Sequence, residues 1–371
     1  MLVNGHHYRT IWVDKNNSKL ICIIDQTRLP FEFIIKTISS YEQMVNAIFT
    51  MEVRGAGLIG AAGAFAVYLA VLEAPLNSQF DVFVIDAANK IKASRPTAIN
   101  LEWAVDRMIN KIVSTNCFIA KQQIALSEAQ QIADEDSEYG RMIGINGLPL
   151  IEAISVSKNG ETVNILTHCN AGWLALVDYG TALAPIYAAH QKGIKVHVWV
   201  DETRPRNQGA FLTAWELAAA GIPHTVVADN AGGLLMQNGM VDMAIVGSDR
   251  TTYTGDVCNK IGTYLKALAA HDNNIPFYVA VYSSSFDWTI SDGVKDIPIE
   301  QRTGNEMRLI RGLDAGNKLA EVTIIPSQSP VSNYAFDVTP ARLVTALITE
   351  RGLCAATKEG IAKLFSDKLK S

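Results

Sequence analysis

The feature that most constrains this chain is an alternation, after about residue 160, of short apolar runs with stretches of helical spacing. The apolar runs cover residues 163–167, 195–200, 224–228, 243–246, 277–281 and 321–325. The helical stretches between them include residues 180–190, 209–220 and 260–270. Continuous apolar strands separated by helices are typical of βαβ units, in which helices cover both faces of a parallel sheet. The pattern therefore predicts an α/β fold with a Rossmann-like parallel sheet.

The first 140 residues follow a different pattern. Apolar runs at 8–13 and 20–24 flank Asn16 and Asn17, an arrangement that predicts a short β-hairpin. Most of the segment from Pro30 to about residue 133 has helical spacing, and Ser39 or Ser40 can cap its first helix.

Three further helices are predicted in this segment, over residues 54–72, 97–116 and 122–133, whereas residues 143–155 resemble a connecting loop. We therefore expect a smaller, largely helical N-terminal domain over residues 1–140. A Rossmann-like domain that carries the chemistry is expected over residues 141–371.

Composition excludes several classes of protein. Apolar residues make up 49% of the 371 residues, and the net charge of −5 lacks the positive surface of a nucleic-acid-binding protein. The five cysteines form no CxxC pair, which argues against disulfides and a zinc site. No apolar signal segment follows Met1, and the charge-free run before Glu73 is rich in Gly and Ala, as in a buried helix. We expect a cytoplasmic protein with no membrane or nucleic-acid partner.

Polar or small residues follow five of the predicted strands. These endings cover residues 167–172, 201–209, 229–233, 247–250 and 282–287. Ligands of an open parallel sheet bind at the carboxyl ends of its strands, so these endings together favour a binding site. Structural sheets also end in polar loops, so each ending alone is a weak signal.

Cys169 and Asp249 are the candidates for chemistry at these endings. Cys169 follows a strand and precedes small residues that could open a helix, whose N-terminus would lower the thiol pKa. The alternative is a small buried side chain, as most free cysteines are. Asp249 follows the apolar run 243–246, where partial burial can raise its pKa toward acid–base work. The alternative is a helix cap or an ion pair with Arg250.

Three cations are candidates for binding an anion. Lys260, with Asn259, is predicted to open a helix, although a solvated helix lysine is the ordinary alternative. Arg54 and Arg95 each precede a turn that leads into a helix, and arginine forks match phosphate geometry. The spacing Gly55-x-Gly57-x-x-Gly60 matches a dinucleotide fingerprint, but that fingerprint requires a preceding strand, which is missing here. A dinucleotide-dependent enzyme is therefore a minor alternative.

Several ordered motifs resemble those of the methylthioribose-1-phosphate isomerases, which are relatives of the regulatory subunits of the eukaryotic initiation factor 2 exchange factor. The resemblance covers about residues 45–340 and rests on the segments 54–56, 94–97, 169–172, 201–205, 208–209, 247–250, 255–256 and 259–263. It implies an aldose–ketose isomerase that opens a furanose 1-phosphate, 5-methylthioribose 1-phosphate, into the ketose phosphate during methionine salvage. It also implies no metal or nucleotide cofactor, a small-molecule sugar-phosphate partner and a homodimer.

The resemblance also implies roles for particular residues. Its catalytic positions fall on Cys169 and Asp249. Its substrate-binding positions fall on Arg54, Gly55, Ala56, Arg95, Gln208, Asn259 and Lys260. Asp249 would be the acid near the ring oxygen, and Cys169 would act as a base or as a stabiliser of the transferring centre. Proton transfer through an enediol and a hydride shift both remain open.

Three departures from the family pattern concern the shape of the pocket. Trp173 stands where smaller residues are usual, Ser248 replaces alanine, and Tyr282 begins an unusual loop. A bulky Trp173 would narrow the space for the methylthio group. Isomerases of 5-deoxyribose 1-phosphate or ribose 1,5-bisphosphate are therefore alternatives, and a non-catalytic regulatory subunit is an alternative from another class.

Overall fold

The computed structural model describes residues 1–95 and 98–368. Its N-terminal strands are β1 (Leu2–Val3), β2 (His6–His7), β3 (Ile11–Val13), β4 (Ile21–Ile24) and β5 (Ile35–Ile38). The predicted hairpin is confirmed, because β3 and β4 pair antiparallel with Ile11 opposite Ile23. Strand β5 lies in the segment where helix was expected, and it pairs with β4 as a third strand.

Five helices follow these strands: α1 (Tyr41–Phe49), α2 (Ala56–Glu73), α3 (Phe80–Ala93), α4 (Ile99–Ile112) and α5 (Phe118–Ser157). Ser40 caps α1 by accepting a hydrogen bond from the backbone N–H of Gln43. Of the two predicted caps, Ser39 and Ser40, the second is therefore confirmed. The start predicted for the helix over 97–116 falls on Pro96 and Thr97, which lie outside the described residues.

Helix α2 is the centre of this bundle, as the Gly- and Ala-rich sequence predicts. It is long and apolar enough to cross a membrane by length and composition, but 83% of that stretch is buried inside the fold. Its glycines allow close packing, since a Cβ at Gly63 would lie 2.5 Å from Leu101 on α4. The small residues therefore serve packing between helices.

Helix α5 corrects the predicted loop at residues 143–155. The structure has one helix of 40 residues here, with Pro149 inside it. Gly144 and Gly147, which resemble loop residues in the sequence, are the sites where α5 packs closely against Ala184 and Pro185. The boundary predicted between residues 140 and 141 falls inside this helix, and the division into two domains stays a prediction.

The remaining elements are strands and helices, which alternate as far as β9. They are β6 (Val163–Thr167), α6 (Ala184–Gln191), β7 (Val196–Asp201), α7 (Ala214–Ala219), β8 (His224–Val227), α8 (Ala231–Gln237), β9 (Met243–Val246), β10 (Arg250–Thr252), β11 (Val257–Lys260), α9 (Thr263–Asp272), β12 (Phe277–Ala280), β13 (Phe286–Asp287), α10 (Gly293–Asp296), α11 (Asn305–Arg308), β14 (Leu309–Leu313), β15 (Leu319–Thr323), β16 (Phe336–Thr339), β17 (Ala346–Thr349), β18 (Gly352–Cys354) and α12 (Lys358–Leu364). A π-helical segment, Gly209–Thr213, leads directly into α7.

The main sheet has seven strands in the order β18-β17-β12-β9-β6-β7-β8. All neighbours pair parallel except β17 and β18, so the predicted parallel sheet is confirmed. Five of the six predicted strands belong to it. The sixth, at 321–325, overlaps a strand, β15, but its place in the main sheet is wrong, because β15 is a largely exposed strand of a separate hairpin with β14. Strand β17, which the sequence analysis missed, completes the parallel set.

A smaller sheet of four strands, in the order β13-β10-β11-β16, lies beyond the carboxyl end of β9. It corrects the helix predicted to begin at residue 260, because Asn259 and Lys260 end strand β11 and α9 begins at Thr263. The chain between β9 and β10 therefore runs from the main sheet into the smaller one, and Asp249 lies at that junction.

Candidate active site

All nine residues predicted for the site line one pocket at the carboxyl edge of the main sheet. The N-terminal part contributes Arg54, Gly55, Ala56 and Arg95. The sheet part contributes Cys169, Gln208, Asp249, Asn259 and Lys260. Further lining residues that the sequence analysis did not assign to the site include Met51, Ile59, His168, Asn170, Ala175, Leu176, Thr181 and Phe336. Most of these are apolar and carry no chemical signature in a single sequence.

Cys169 follows β6 in a backbone conformation that side chains rarely adopt, with φ of +66°. Its N–H donates to Thr203 Oγ1 over 2.8 Å, and its thiol lies 3.4 Å from Gln208 Oε1. The predicted helix after it is wrong, since only the short 3₁₀ turn Trp173–Ala175 follows. The hydrogen bond from the Cys169 N–H to Thr203 therefore helps to hold the left-handed conformation.

The thiol of Cys169 is buried, and burial raises its pKa although Arg54 and Lys260 act in the opposite direction. The expected lowering of this pKa is therefore wrong, because desolvation outweighs the nearby cations and the loop directly after Cys169 opens no α-helix. The thiol keeps its proton at neutral pH.

Asp249 lies between β9 and β10, where its N–H donates to the carbonyl of Cys258 over 3.0 Å. Burial raises the pKa of its carboxyl, while Lys260, Arg54 and Arg95 lower it. The predicted direction is confirmed. Of the two alternatives, Asp249 caps no helix in the described part of the chain, and Arg250 forms an ion pair with Asp287 at 3.6 Å.

Of the three cations that face the pocket, Arg54 and Lys260 already have hydrogen-bond partners. Arg54 donates from Nη1 and Nη2 to the side-chain and backbone oxygens of Asn170, over 2.5 and 2.7 Å. Lys260 donates to the carbonyl of Ala335 over 2.9 Å, and its Nζ lies 4.5 Å from the ring centroid of Phe336. Burial lowers the pKa of Lys260, so its charge depends on the acidic groups that share the pocket.

Arg95 is buried, yet part of its guanidinium is not hydrogen bonded. Its Nη2 lies 3.4 Å from Glu300 Oε2. Its Nε and Nη1 atoms are buried and have no hydrogen-bond partner within residues 1–95 and 98–368. Burial lowers the pKa of Arg95, and Glu300 raises it. Because buried donors are almost always satisfied, these two atoms indicate a position for an anionic ligand.

The N-terminus of α2 opens onto the same pocket. Gly55 precedes the helix with φ of +91°, and a Cβ there would lie 2.5 Å from the backbone of Ala175. Only glycine fits this position. No side chain of the described residues caps the helix, so its first N–H groups suit an anion.

Two amide side chains complete the polar wall. Gln208, just before the π-helical segment, accepts from the Cys169 thiol. Asn259 donates to Thr263 Oγ1 over 3.1 Å. Both lie in the pocket, so they can bond the hydroxyl groups of a ligand.

The structure corrects the role expected for Trp173. This side chain is fully buried away from the pocket, where it packs on Trp215 and donates from Nε1 to the carbonyl of Tyr8 over 3.0 Å. Ala175 and Leu176 line the pocket in its place. Ser248 and Tyr282, the other two departures, do line it. Trp173 therefore does not narrow the pocket.

His168, Asp201 and Asp229 cluster closely enough to hold a metal ion. Each nitrogen of His168 already has a partner, Asp201 Oδ2 for Nδ1 and the carbonyl of Ile261 for Nε2, both at 2.8 Å. The ammonium of Lys266 lies 3.3 Å from Asp201 Oδ2 and bonds the carbonyl of Asp229. Since Lys266 already supplies a positive charge, the cluster fits a network that ties strand ends together.

Comparison with known proteins gives a consistent picture. The model of the Initiation factor 2 subunit family matches residues 52–356. The chain is 56% identical to the methylthioribose-1-phosphate isomerase of Desulfatibacillum aliphaticivorans, with 100% of both chains covered. It is 54% identical to that of Methylorubrum populi, again with both covered completely.

Two solved structures extend the comparison. The 5-methylthioribose 1-phosphate isomerase of Pyrococcus horikoshii matches with a TM-score of 0.83 at 38% identity, covering 98% of this chain and 97% of that one. The translation initiation factor eIF-2B subunit delta from A. fulgidus matches with a TM-score of 0.79 at 37% identity, covering 97% and 100%.

Proposed function

The chain belongs to the Initiation factor 2 subunit family and, within it, to the methylthioribose-1-phosphate isomerases, and on that premise we propose how its pocket works. The chain is an aldose–ketose isomerase that converts 5-methylthioribose 1-phosphate into 5-methylthioribulose 1-phosphate, a step of methionine salvage.

The phosphate binds where the N-terminal part meets the sheet. Arg54, Arg95 and Lys260 surround it, and the first N–H groups of α2, beginning at Gly55 and Ala56, donate to its oxygens. The observation that carries this assignment is the pair of buried, unpartnered nitrogens of Arg95, counted over the described chain. Gln208 and Asn259 bond the sugar hydroxyls.

Asp249 opens the ring. Because burial raises the pKa of its carboxyl, the protonated acid is more readily available than it is for an exposed aspartate. Its proton passes to the ring oxygen as the bond from C1 to that oxygen breaks, and positive charge develops at C1.

Cys169 lies beside the transferring centre as a neutral thiol. Because its raised pKa leaves little thiolate at neutral pH, Cys169 is seldom in the form that could accept a proton, which favours the hydride shift over the enediol route. The hydrogen on C2 moves to C1 with its electron pair, and the C2 hydroxyl proton returns to the carboxylate of Asp249. Asp249 thereby regains its proton, and the pocket ends in its starting protonation state.

The apolar wall of the pocket contacts the substituent on C5 of the sugar. Met51, Ile59, Leu176 and Phe336 offer carbon and sulfur surface to a methylthio group. A second phosphate, as in ribose 1,5-bisphosphate, would lose part of its hydration against this apolar surface.

The test is a phosphorus NMR assay without added metal or nucleotide. Methylthioribose 1-phosphate, 5-deoxyribose 1-phosphate and ribose 1,5-bisphosphate are offered separately, and we expect the first to be converted most efficiently. Substrate deuterated at C2 distinguishes the two routes, since a hydride shift retains the label at C1 in ordinary water. Conversion of none of the three would support a regulatory subunit.

We further propose that the enzyme is a cytoplasmic homodimer, as the resemblance to its family implies. All five cysteines are free in the structure, which is consistent with a reducing compartment. Sedimentation equilibrium of the purified protein tests the oligomeric state, and a monomer at assay concentration would contradict it.

A further inference from the structure

Glu216 on α7 is a fully buried carboxylate with four hydrogen-bond donors. Its Oε1 accepts from Asn170 Nδ2 over 2.8 Å and from the N–H of Leu174 over 3.1 Å. Its Oε2 accepts from the N–H of Trp173 over 2.7 Å and from the Tyr187 hydroxyl over 2.6 Å. Burial raises the pKa of Glu216, and these hydrogen bonds lower it. The carboxylate thus gathers the loop that follows Cys169.

The chain around Glu216 is built to allow this approach. A Cβ at Gly172 would lie 2.2 Å from Glu216 Oε2, so only glycine lets the loop pass so close. The π-helical segment Gly209–Thr213 runs directly into α7, and Thr213 also reaches this loop. Wide helical turns of this kind are frequent at functional sites.

Asn170 connects Glu216 to the pocket. Both N–H groups of its amide are engaged, one by Glu216 and the other by Thr213 Oγ1 at 3.2 Å. Its amide oxygen therefore faces the other way, where it accepts from Arg54 Nη1 over 2.5 Å. The Asn170 carbonyl accepts from Arg54 Nη2, so one residue holds both ends of the guanidinium fork.

The charges along this chain of contacts are complementary. The anionic carboxylate attracts the N–H groups of Asn170 and makes the amide oxygen a stronger acceptor for the arginine. Arg54 has five N–H donors, and Asn170 engages two of its nitrogens. An arginine fixed in this way has less conformational freedom to lose when an anion binds.

We infer that Glu216 is a positioning residue for phosphate recognition, which fixes the Asn170 amide and, through it, the Arg54 guanidinium at the wall of the pocket. This inference rests on the proposed function, because that function gives Arg54 its phosphate. A purely structural carboxylate would instead anchor the turn at Trp173 and Leu174 and affect only folding. The two roles differ in whether its loss changes anion affinity.

The first variant is Glu216→Gln, which has nearly the same shape but offers one acceptor oxygen to four donors. The N–H groups of the new glutamine amide would then face other hydrogen-bond donors. The Asn170 amide would lose the single orientation that the carboxylate favours. We expect the KM for methylthioribose 1-phosphate and the Kd for inorganic phosphate each to rise about tenfold. We expect kcat to stay within threefold of that of the unmodified enzyme.

The matched control is Tyr187→Phe, which removes one donor from Glu216 and leaves the Asn170 contact intact. Its phosphate affinity should change by less than twofold. A second control places Glu216→Gln in an Arg54→Gln background, where no further loss of phosphate affinity is expected because the arginine is already absent. Circular dichroism and thermal unfolding report the folded fraction of each variant.

Two outcomes of the Glu216→Gln measurements would overturn the inference. One is Glu216→Gln with unchanged phosphate affinity and a lower active fraction, and the other is an equal loss of affinity with and without Arg54. If Glu216→Gln does not fold, Glu216→Asp keeps the charge but withdraws it from Asn170, and unchanged phosphate affinity in that variant would also overturn it. Phosphate binding is titrated by calorimetry, so an inactive wild type would contradict the proposed function separately.

Discussion

The two sides of the pocket contain different kinds of group. The N-terminal side supplies a helix N-terminus and two arginines, and the Arg95 guanidinium has buried nitrogens without a partner in the described chain. The sheet side supplies Cys169 and Asp249, and burial shifts the pKa of each toward the neutral form. It also supplies Lys260, which we propose joins the two arginines at the phosphate. The cations thus hold the charge of the ligand, and Cys169 and Asp249 serve the transfer of hydrogen. Binding and chemistry should therefore respond separately to mutation.

The largest effect is expected for Asp249→Asn, which removes the proposed acid. We predict that kcat falls about 10³-fold, within the range typical of general acid–base groups, while phosphate affinity changes by less than threefold. Steady-state kinetics and a phosphate titration measure the two quantities. The control is Asp287→Asn, at the ion pair of Arg250 outside the pocket, which should retain substantial activity. A large loss of phosphate affinity in Asp249→Asn would remove the separation between the two sides.

The next largest effect is expected for Arg95→Gln on the N-terminal side. A hydrogen bond to a charged group is worth about 1.5–3 kcal/mol, so KM should rise roughly 10- to 100-fold with kcat nearly unchanged. Initial rates over a range of substrate concentrations give both constants. Arg141→Gln is the control, because Arg141 is exposed and pairs only with neighbours such as Glu138 in the structure as described. A fall in kcat with an unchanged KM would contradict this assignment.

A third prediction concerns a buried carboxyl on the N-terminal side that lies outside the pocket. Burial raises the pKa of Asp136 from 3.8 to about 7. The folded state therefore binds more protons than the unfolded state between these values, and stability falls as the pH rises from about 4 to about 7. In Asp136→Asn this contribution disappears. The free energy of unfolding should then depend less on pH, by roughly 2 kcal/mol between pH 5 and 7.5.

Urea unfolding at the two pH values measures that difference. Asp134→Asn is the matched control on the same helix, because Asp134 is exposed and paired with Arg9. Equal pH dependence in Asp136→Asn and the unmodified protein would show that Asp136 titrates normally. A fall in kcat in the same variant, without loss of stability, would show that Asp136 takes part in the hydrogen transfer together with Cys169 and Asp249.

The smallest effect on activity is expected for Trp173→Phe. The substitution removes a hydrogen bond to Tyr8 and some buried volume, so stability should fall by about 1–2 kcal/mol. Because Trp173 lies outside the pocket, KM for the three sugar phosphates should stay within twofold. A changed preference among the three substrates would restore the role first expected for this residue.

The sequence predicted the parallel sheet and the position of its binding edge because both depend on local pattern. Cys169 and Asp249 each follow an apolar run that became a strand of that sheet. The protonation state of Cys169 was not predictable, since burial against Arg54 and Lys260 depends on distant parts of the chain. The same holds for residues 143–155, where packing against α6 overrides the loop-like glycines.

The sequence around Glu216 contains a signal of a buried carboxylate. It is the single charged residue in the otherwise apolar or neutral segment 209–222. A carboxylate there needs a buried partner, but the identity of that partner, the loop after Cys169, requires the fold. The sequence places Lys260 at a helix start, which is wrong because Lys260 ends strand β11. This strand depends on its pairing with β16, which lies about 80 residues further along the chain.

The most direct test of the division between binding and chemistry measures Cys169→Ser in two ways. Serine preserves the size of the side chain but not its sulfur, so the account predicts that kcat falls at least 100-fold. It predicts in the same preparation that the Kd for inorganic phosphate, measured by calorimetry, stays within twofold of the unmodified enzyme. Turnover close to that of the unmodified enzyme, or loss of phosphate binding together with turnover, would contradict the account.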